Sequence, residues 1–265
     1  MAAVEGCIAK MLTEWGETVQ YALPIGDTQV AMNSCIGERI CLEYLGLIEC
    51  IYCGRKIKKS FNQGYCFPCA RALARCDMCV VKPETCHYQK GTCREPEWGE
   101  QHCLIPHTVY LANSSGIKVG ITRQVQQRTR WMDQGATQAL PVLAVDTRLD
   151  AGNAEVALKR FVSDKTDWRK MLKGTPPLQD LRQVRDDLFG QSGDAVDGRR
   201  LPAEEILEIN YPVLKFPDKV RAHNLDKSPI LEGMLMGIKG QYWILDEVVI
   251  NIRKYAGYRI RLTTA

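Results

Sequence analysis

No stretch of this chain approaches 18 consecutive apolar residues, and its first residues, MAAVEGCIAKMLTEW, lack a basic start followed by an apolar block. These absences predict neither a signal peptide nor a membrane span, and hence a cytoplasmic protein with no membrane partner. Acidic side chains are scarce in two places. Between Cys50 and Arg94 only Asp77 and Glu84 stand against nine basic residues, Arg55, Lys56, Lys58, Lys59, Arg71, Arg75, Lys82, Lys90 and Arg94. From His107 to Met132 there is no acid at all beside Lys118, Arg123, Arg128 and Arg130, whereas the stretch 180–208 is acidic. A net charge of +4 says little by itself, but this uneven layout would aim a basic face at phosphate.

What is present is ordinary for a globular protein: 265 residues, 45% hydrophobic and 25% charged, enough for one large domain or two or three small ones. The exception is cysteine. Of twelve cysteines, nine fall between Cys50 and Cys103, and in a reducing compartment clustered thiols point to metal rather than to disulfides. Cys7, Cys35 and Cys41 sit in apolar or strand-like settings and read as small buried hydrophobes.

Val4, Ile8, Met11, Leu12 and Trp15 recur at helical spacing, so the chain is expected to open with an amphipathic helix ended by Gly16. Val19, Tyr21, Leu23 and Ile25, then Ile40, Leu42 and Tyr44, alternate as antiparallel strands do. At Glu49 the texture changes. Cys50 and Cys53 form a C-x-x-C followed by glycine, and Cys66 and Cys69 supply a second pair at the start of a helix expected over 69–75. Two thiolates two residues apart, twice, fill a tetrahedral zinc ion with no open position, the arrangement of a structural site resembling a treble-clef finger. A second ion is expected in the following block, on Cys76 and Cys79 with Cys86 and Cys93 completing it, Cys103 and His107 being the rivals. Structural zinc, one ion or two, is therefore the cofactor read from the cysteines.

The stretch HTVYLANSSGIKVGIT, 107–122, reads as a hairpin: Val109 and Leu111 alternate with Tyr110, and Ile117, Val119 and Ile121 resume the pattern after Asn113-Ser114-Ser115-Gly116. Tyr110 and Lys118 fall on the side opposite the apolar residues, and Gly120 permits a close approach. A helix follows, ended near Gly135; then a buried strand, 139–145; then a helix with the stripe Ala154, Ala157, Leu158, Phe161 and Val162, capped by Asp150 or Asn153, with Glu155 at the edge of the stripe. Lys165, Arg169, Lys170 and Lys173 surround Trp168, a mixture suited to phosphate and base stacking. Leu178, Leu181, Val184 and Leu188 mark a further helix, 190–200 reads as a linker, and alternation returns from Leu207 to the end.

Two strands, a helix, a strand and a helix, with Val-Tyr-Leu, Lys-Val-Gly-Ile-Thr, a following arginine and a helical glutamate, resemble the GIY-YIG endonuclease superfamily, in the branch whose second tripeptide reads Lys-Ile-Gly. The likeness covers about 108–162. The phrases NSSGIKVGITR, TRWMDQGA and GIKGQYW resemble, over most of the chain, a bacterial family known as domain of unknown function 2797, which brings no established activity. What the superfamily resemblance implies is specific. Tyr110 takes the place of the tyrosine that helps activate water, Lys118 replaces the second motif tyrosine, Gly120 matches the motif glycine, and Glu155 matches the glutamate that holds a divalent cation, Mg²⁺ or Mn²⁺, beside the scissile phosphate. For the arginine, strict spacing from Thr122 selects Arg128, whereas the TRW phrase points to Arg130. Trp131 and Met132 stand where many relatives carry histidine or tyrosine.

The fold expectation is therefore α+β: a first part, 1–48; a zinc-binding region, 49–106; a GIY-YIG-like domain, 107–189, with a three-stranded antiparallel sheet; and a β-rich region, 201–265, joining 17–48 in one barrel or sandwich. The functional expectation is divalent-metal-dependent phosphodiester hydrolysis of nucleic acid, DNA or RNA, with structural zinc. The alternatives are a noncatalytic zinc-containing nucleic-acid- or ribosome-binding protein that keeps the platform, and recognition of a nucleotide-like small molecule by it.

Overall fold

The computed structural model describes residues 2–162, 165–202 and 205–264. In chain order its strands are β1 (Ala2–Cys7), β2 (Leu12–Glu14), β3 (Gln20–Ile25), β4 (Thr28–Ala31), β5 (Arg39–Glu49), β6 (Lys56–Ile57), β7 (His107–Asn113), β8 (Ile117–Arg123), β9 (Gln138–Val145), β10 (Arg199–Arg200), β11 (Leu207–Glu208), β12 (Ile230–Lys239), β13 (Tyr242–Leu245), β14 (Val249–Asn251) and β15 (Tyr258–Thr264). The helices are α1 (Phe67–Ala72), α2 (Pro96–His102), α3 (Gln127–Asp133), α4 (Arg148–Leu158), α5 (Trp168–Met171) and α6 (Leu181–Ser192). They form two compact units, one of Met1–Ala70, Leu172–Gly174 and Asn210–Ala265, the other of Arg71–Met171 and Thr175–Ile209.

In the first unit the two chain ends share one antiparallel sheet of order β1-β15-β5-β12-β13-β14, with β6 also on β5. Alternation drives it: Ile40 and Leu42 on β5 and Ile260 and Leu262 on β15 are all buried. The expected barrel does not form. Closure would require β14 to pair with β1, but the outer edge of β14 is taken by the segment before it, His223 N–H donating to the Val249 carbonyl and Val249 N–H to that of Arg221 (both 2.8 Å). A separate sheet, β2-β3-β4, completes the unit's strands.

The amphipathic helix expected over 4–15 is instead β1, a loop and β2. The 3.6-residue spacing of Val4, Ile8 and Met11 is coincidental, because partners remote in sequence decide the backbone. Ala2 to Cys7 pair with Thr264 to Arg259, and Met11 exchanges bonds with the Gln241 side chain, its N–H donating to Oε1 (2.9 Å) and its carbonyl accepting from Nε2 (3.1 Å). Short apolar patterns are ambiguous between helix and strand for this reason.

In the second unit β7 lies between β8 and β9, as the hairpin and buried-strand readings require. Val109, Leu111, Val119 and Ile121 pack with Leu140 and Leu143 of β9, Ala151, Ala154 and Leu158 of α4, and Leu181, Leu188 and Phe189 of α6. The sheet has five strands rather than three, because β10 and β11 add to β9. That overturns the linker reading of 190–200: residues up to Ser192 finish α6, and Arg199 and Arg200 pair with Ala144 and Leu143. The cap of α4 is Thr147, whose hydroxyl accepts the Asp150 N–H (3.2 Å), not Asp150 or Asn153.

Gly6 distinguishes the two conformations of the N-terminal segment. A Cβ on Gly6 of β1 would lie 2.6 Å from the Gly26 backbone nitrogen, so Gly6→Ala should destabilise the protein by about 1–3 kcal/mol in denaturant unfolding. In a helix the same change would stabilise by about 1 kcal/mol; a stabilised variant would contradict the strand.

Candidate functional site

Cys50 closes β5, and the chain then turns back on itself: Gly54 N–H donates to the Cys50 carbonyl (2.9 Å) with Gly54 at φ +69, a left-handed conformation that suits glycine. Cys66 precedes α1, and Cys69 lies within that helix rather than at its start, donating its N–H to the Cys66 Sγ at 3.5 Å. The four sulfurs of Cys50, Cys53, Cys66 and Cys69 all lie within 4.8 Å of one another. A tetrahedron with Zn–S bonds of about 2.3 Å has S···S edges of about 3.8 Å, and Cys53 and Cys66 are 3.8 Å apart. Burial opposes ionisation of Cys50, but backbone donors of Cys53, Cys66 and Tyr52 outweigh it and hold the thiol down at about 6. Cys69, bonded to Cys66, is pushed up instead. Four soft donors at tetrahedral spacing can hold a structural zinc ion.

Among the other predicted ligands, burial and then Asp77, Cys86, Cys103 and Cys93 push the Cys79 thiol up to about 11. Cys76 lies in a 3-10 turn over Ala74–Cys76. A smaller group, Asp77, Cys79 and His87, also has donor atoms within 4.8 Å of one another, but Asp77 already receives Arg94 Nε at 2.7 Å and the Met78 N–H at 2.6 Å.

In the second unit the sheet register brings the motif residues together. Tyr110 of β7 stands opposite Gly120 of β8, and Ala112 opposite Lys118, so Tyr110 and Lys118 share the face away from Val109 and Leu111. That face is closed as well: Tyr110 is 0% and Lys118 4% exposed. The phenol ring fits over Gly120, where a Cβ would meet its Cζ and Oη at 2.7 Å, and meets Trp131 of α3 edge-on, with centroids 5.8 Å apart. Tyr110 Oη donates to Gln134 Oε1 (2.9 Å), and Lys118 Nζ donates to the same oxygen (2.7 Å). Gln134 is the C-cap of α3, followed by Gly135 at φ +68, which ends the helix.

The remaining two groups reach the same phenol. Burial pushes the Tyr110 pKa up, the Arg130 guanidinium pulls it down through its charge and a hydrogen bond, and the Glu155 carboxylate pushes it up again. Arg130 and Glu155, both half-buried, thus lie within electrostatic reach of the Tyr110 phenol, and Lys118 shares its acceptor. Arg128 is exposed on α3. Sequence reasoning missed Gln134, although it lies inside the phrase TRWMDQGA, immediately before the glycine that marks the helix end.

The first unit carries a four-cysteine cluster that could bind zinc, and the second an antiparallel sheet flanked by helices; together they define a mixed α/β protein with a candidate zinc centre. The chain belongs to the family described as protein of unknown function, DUF2797, whose model matches residues 37–260. No curated protein and no solved structure matches it.

Elemental analysis should find zinc at the first centre, and Cys66→Ser should lower the content by one equivalent. Its Tm should fall by about 6–12 °C, the effect of losing about 3 kcal/mol in a chain of this size; unchanged zinc in that variant would contradict the ligand set. Gly120→Ala should destabilise by about 1–3 kcal/mol by displacing the Tyr110 ring, and restoration of stability in Gly120→Ala, Tyr110→Leu would locate the clash.

Proposed function

We propose that the protein is a GIY-YIG-like, divalent-metal-dependent nuclease, with Tyr110, Lys118, Arg130 and Glu155 as its working groups. The observation that carries the reading is the shared acceptor: a phenol and an ammonium both donate to one neutral oxygen, Gln134 Oε1, with Arg130 and Glu155 acting on the same phenol. An amide oxygen there stands in for an anionic phosphate oxygen, which would accept from the same donors more strongly. Displacement of Gln134 would admit it. Arg130 would then neutralise charge growing on phosphorus, and Tyr110 would orient the attacking water. A single carboxylate with open coordination suits Mg²⁺ or Mn²⁺, which keep most of their waters; Glu155 would hold the ion, which when bound supplies Lewis acidity at the phosphate.

Nucleic acid as the substrate is supported by charge. Residues 50–76 contain no acid, and Arg55, Lys56, Lys58 and Lys59 are all exposed beside Tyr52 and Phe67. Basic side chains interleaved with aromatics suit a phosphate backbone and its bases. The enclosure of Tyr110 and Lys118 favours one second reading, a noncatalytic protein that binds nucleic acid or the ribosome and uses the buried polar cluster only to hold its fold.

The two readings separate in an assay of branched and single-stranded DNA and RNA with Mg²⁺ or Mn²⁺. The nuclease reading predicts cleavage that falls by about 100-fold or more in Glu155→Ala and Arg130→Ala, and stays within a few-fold in Arg128→Ala. Binding without cleavage would favour the second reading, and cleavage undiminished in Glu155→Ala would refute the assignment of roles.

A further inference from the structure

The segment from Cys76 to Cys103 poses a physical problem. It contains short 3-10 turns and the helix α2, no strand, and only three fully buried residues, Pro83, Gly99 and Cys103. So little burial cannot offset the entropy of ordering the segment. All its cysteines are free thiols.

Main-chain contacts hold four of those thiols in one neighbourhood, with Cys86, Cys93 and Cys103 within electrostatic reach of Cys79. Their four sulfurs do not all lie within 4.8 Å of one another, so an ion would draw them together. Arg148 and Gly152 lie one turn apart on the same face of α4. The Arg148 backbone N–H donates to the Cys103 carbonyl (2.7 Å), and its guanidinium donates to the carbonyl of Val80 (2.6 Å), the residue after Cys79. Gly152 receives the turn Pro83–Thr85 so closely that a Cβ would lie 2.5 Å from the Glu84 nitrogen; Cys86 closes that turn, its N–H on the Pro83 carbonyl (3.0 Å). Cys93 approaches α2 at Gly99, its Sγ 3.4 Å from where a Cβ would stand. Cys103 follows one turn later on the same side, its N–H on the Gly99 carbonyl (2.7 Å).

Arg148 supplies an independent sign of an anion. Its Nε is buried without a hydrogen-bond partner among the described residues. A guanidinium so placed needs negative charge nearby, and a zinc ion with four thiolates carries two negative charges.

We propose that Cys79, Cys86, Cys93 and Cys103 form a second structural zinc site, which ties the 76–103 segment to the N-terminal turn of α4 with Arg148 as its counter-charge. The set keeps Cys86 and Cys93 and takes Cys103, one of the two rivals to them, in place of Cys76. The nearby group of Asp77, Cys79 and His87 is the weaker candidate, since an ion there would have to displace Arg94 from Asp77.

Native mass spectrometry and elemental analysis of the full chain test the proposal. The wild type should carry two zinc ions, Cys103→Ser and Cys93→Ser one, and Cys76→Ser and His87→Gln two. Replacement of Arg148 by methionine should release one ion to a chelator at least about tenfold faster than the wild type does, the scale of effect seen for residues that support metal ligands. If the serine variants fail to fold, the cobalt-substituted wild type decides: both ions should show the thiolate-to-cobalt charge-transfer intensity of four Co–S bonds. One zinc per wild-type chain, two zincs retained in Cys103→Ser, loss of the second ion in Cys76→Ser, or a weaker second cobalt band would each overturn the assignment.

Discussion

The middle strand β7 is hydrogen-bonded along both edges and buried on both faces, and this constraint governs the second unit. A phenol in such a strand cannot reach bulk water, so its hydroxyl must find partners inside the protein. Gly120 gives the ring room, the end of α3 brings Gln134, and Lys118 comes from two residues along the facing strand. Arg130 and Glu155 complete a compact set of opposite charges around one hydroxyl. Such a cluster is costly to bury, and its groups are those that the proposed phosphodiester chemistry would use.

The cysteine-rich stretch depends on a different constraint. A chain of this length can bury a sizeable core, yet the residues from Cys50 to Cys103 contribute little to one, and four of their sulfurs are placed where they could hold a structural zinc ion. In the first cluster the four sulfurs lie within 4.8 Å of one another, close enough to share one ion. The proposed second site would act through Arg148 and α4, so metal there would fix the start of the helix that carries Glu155.

Much of this was legible in the sequence where the signal is local. The C-x-x-C pairs at Cys50 and Cys66, the alternation through Val109, Leu111, Val119 and Ile121, and the strand at 138–145 need only neighbours along the chain. The failures were long-range. Val4, Ile8 and Met11 look helical until the strand at the other terminus claims them; the barrel fails because residues 221–223 occupy the edge of β14; Arg199 and Arg200 look like a linker until β9 recruits them. The enclosure of Tyr110 was illegible for the same reason, because burial of the second face by α3 is not written in the period of the strand. The choice between Arg128 and Arg130 likewise depends on which side of α3 faces the sheet.

The most direct test of the central claim is a crystal structure with Mn²⁺ and an oligonucleotide whose scissile phosphate is a noncleavable phosphorothioate. The account predicts an anomalous manganese peak at the Glu155 carboxylate, with a phosphate oxygen in place of Gln134 Oε1 on the Tyr110 hydroxyl and the Lys118 ammonium. Manganese elsewhere, or Gln134 still seated on both donors while the oligonucleotide occupies another surface, would contradict it.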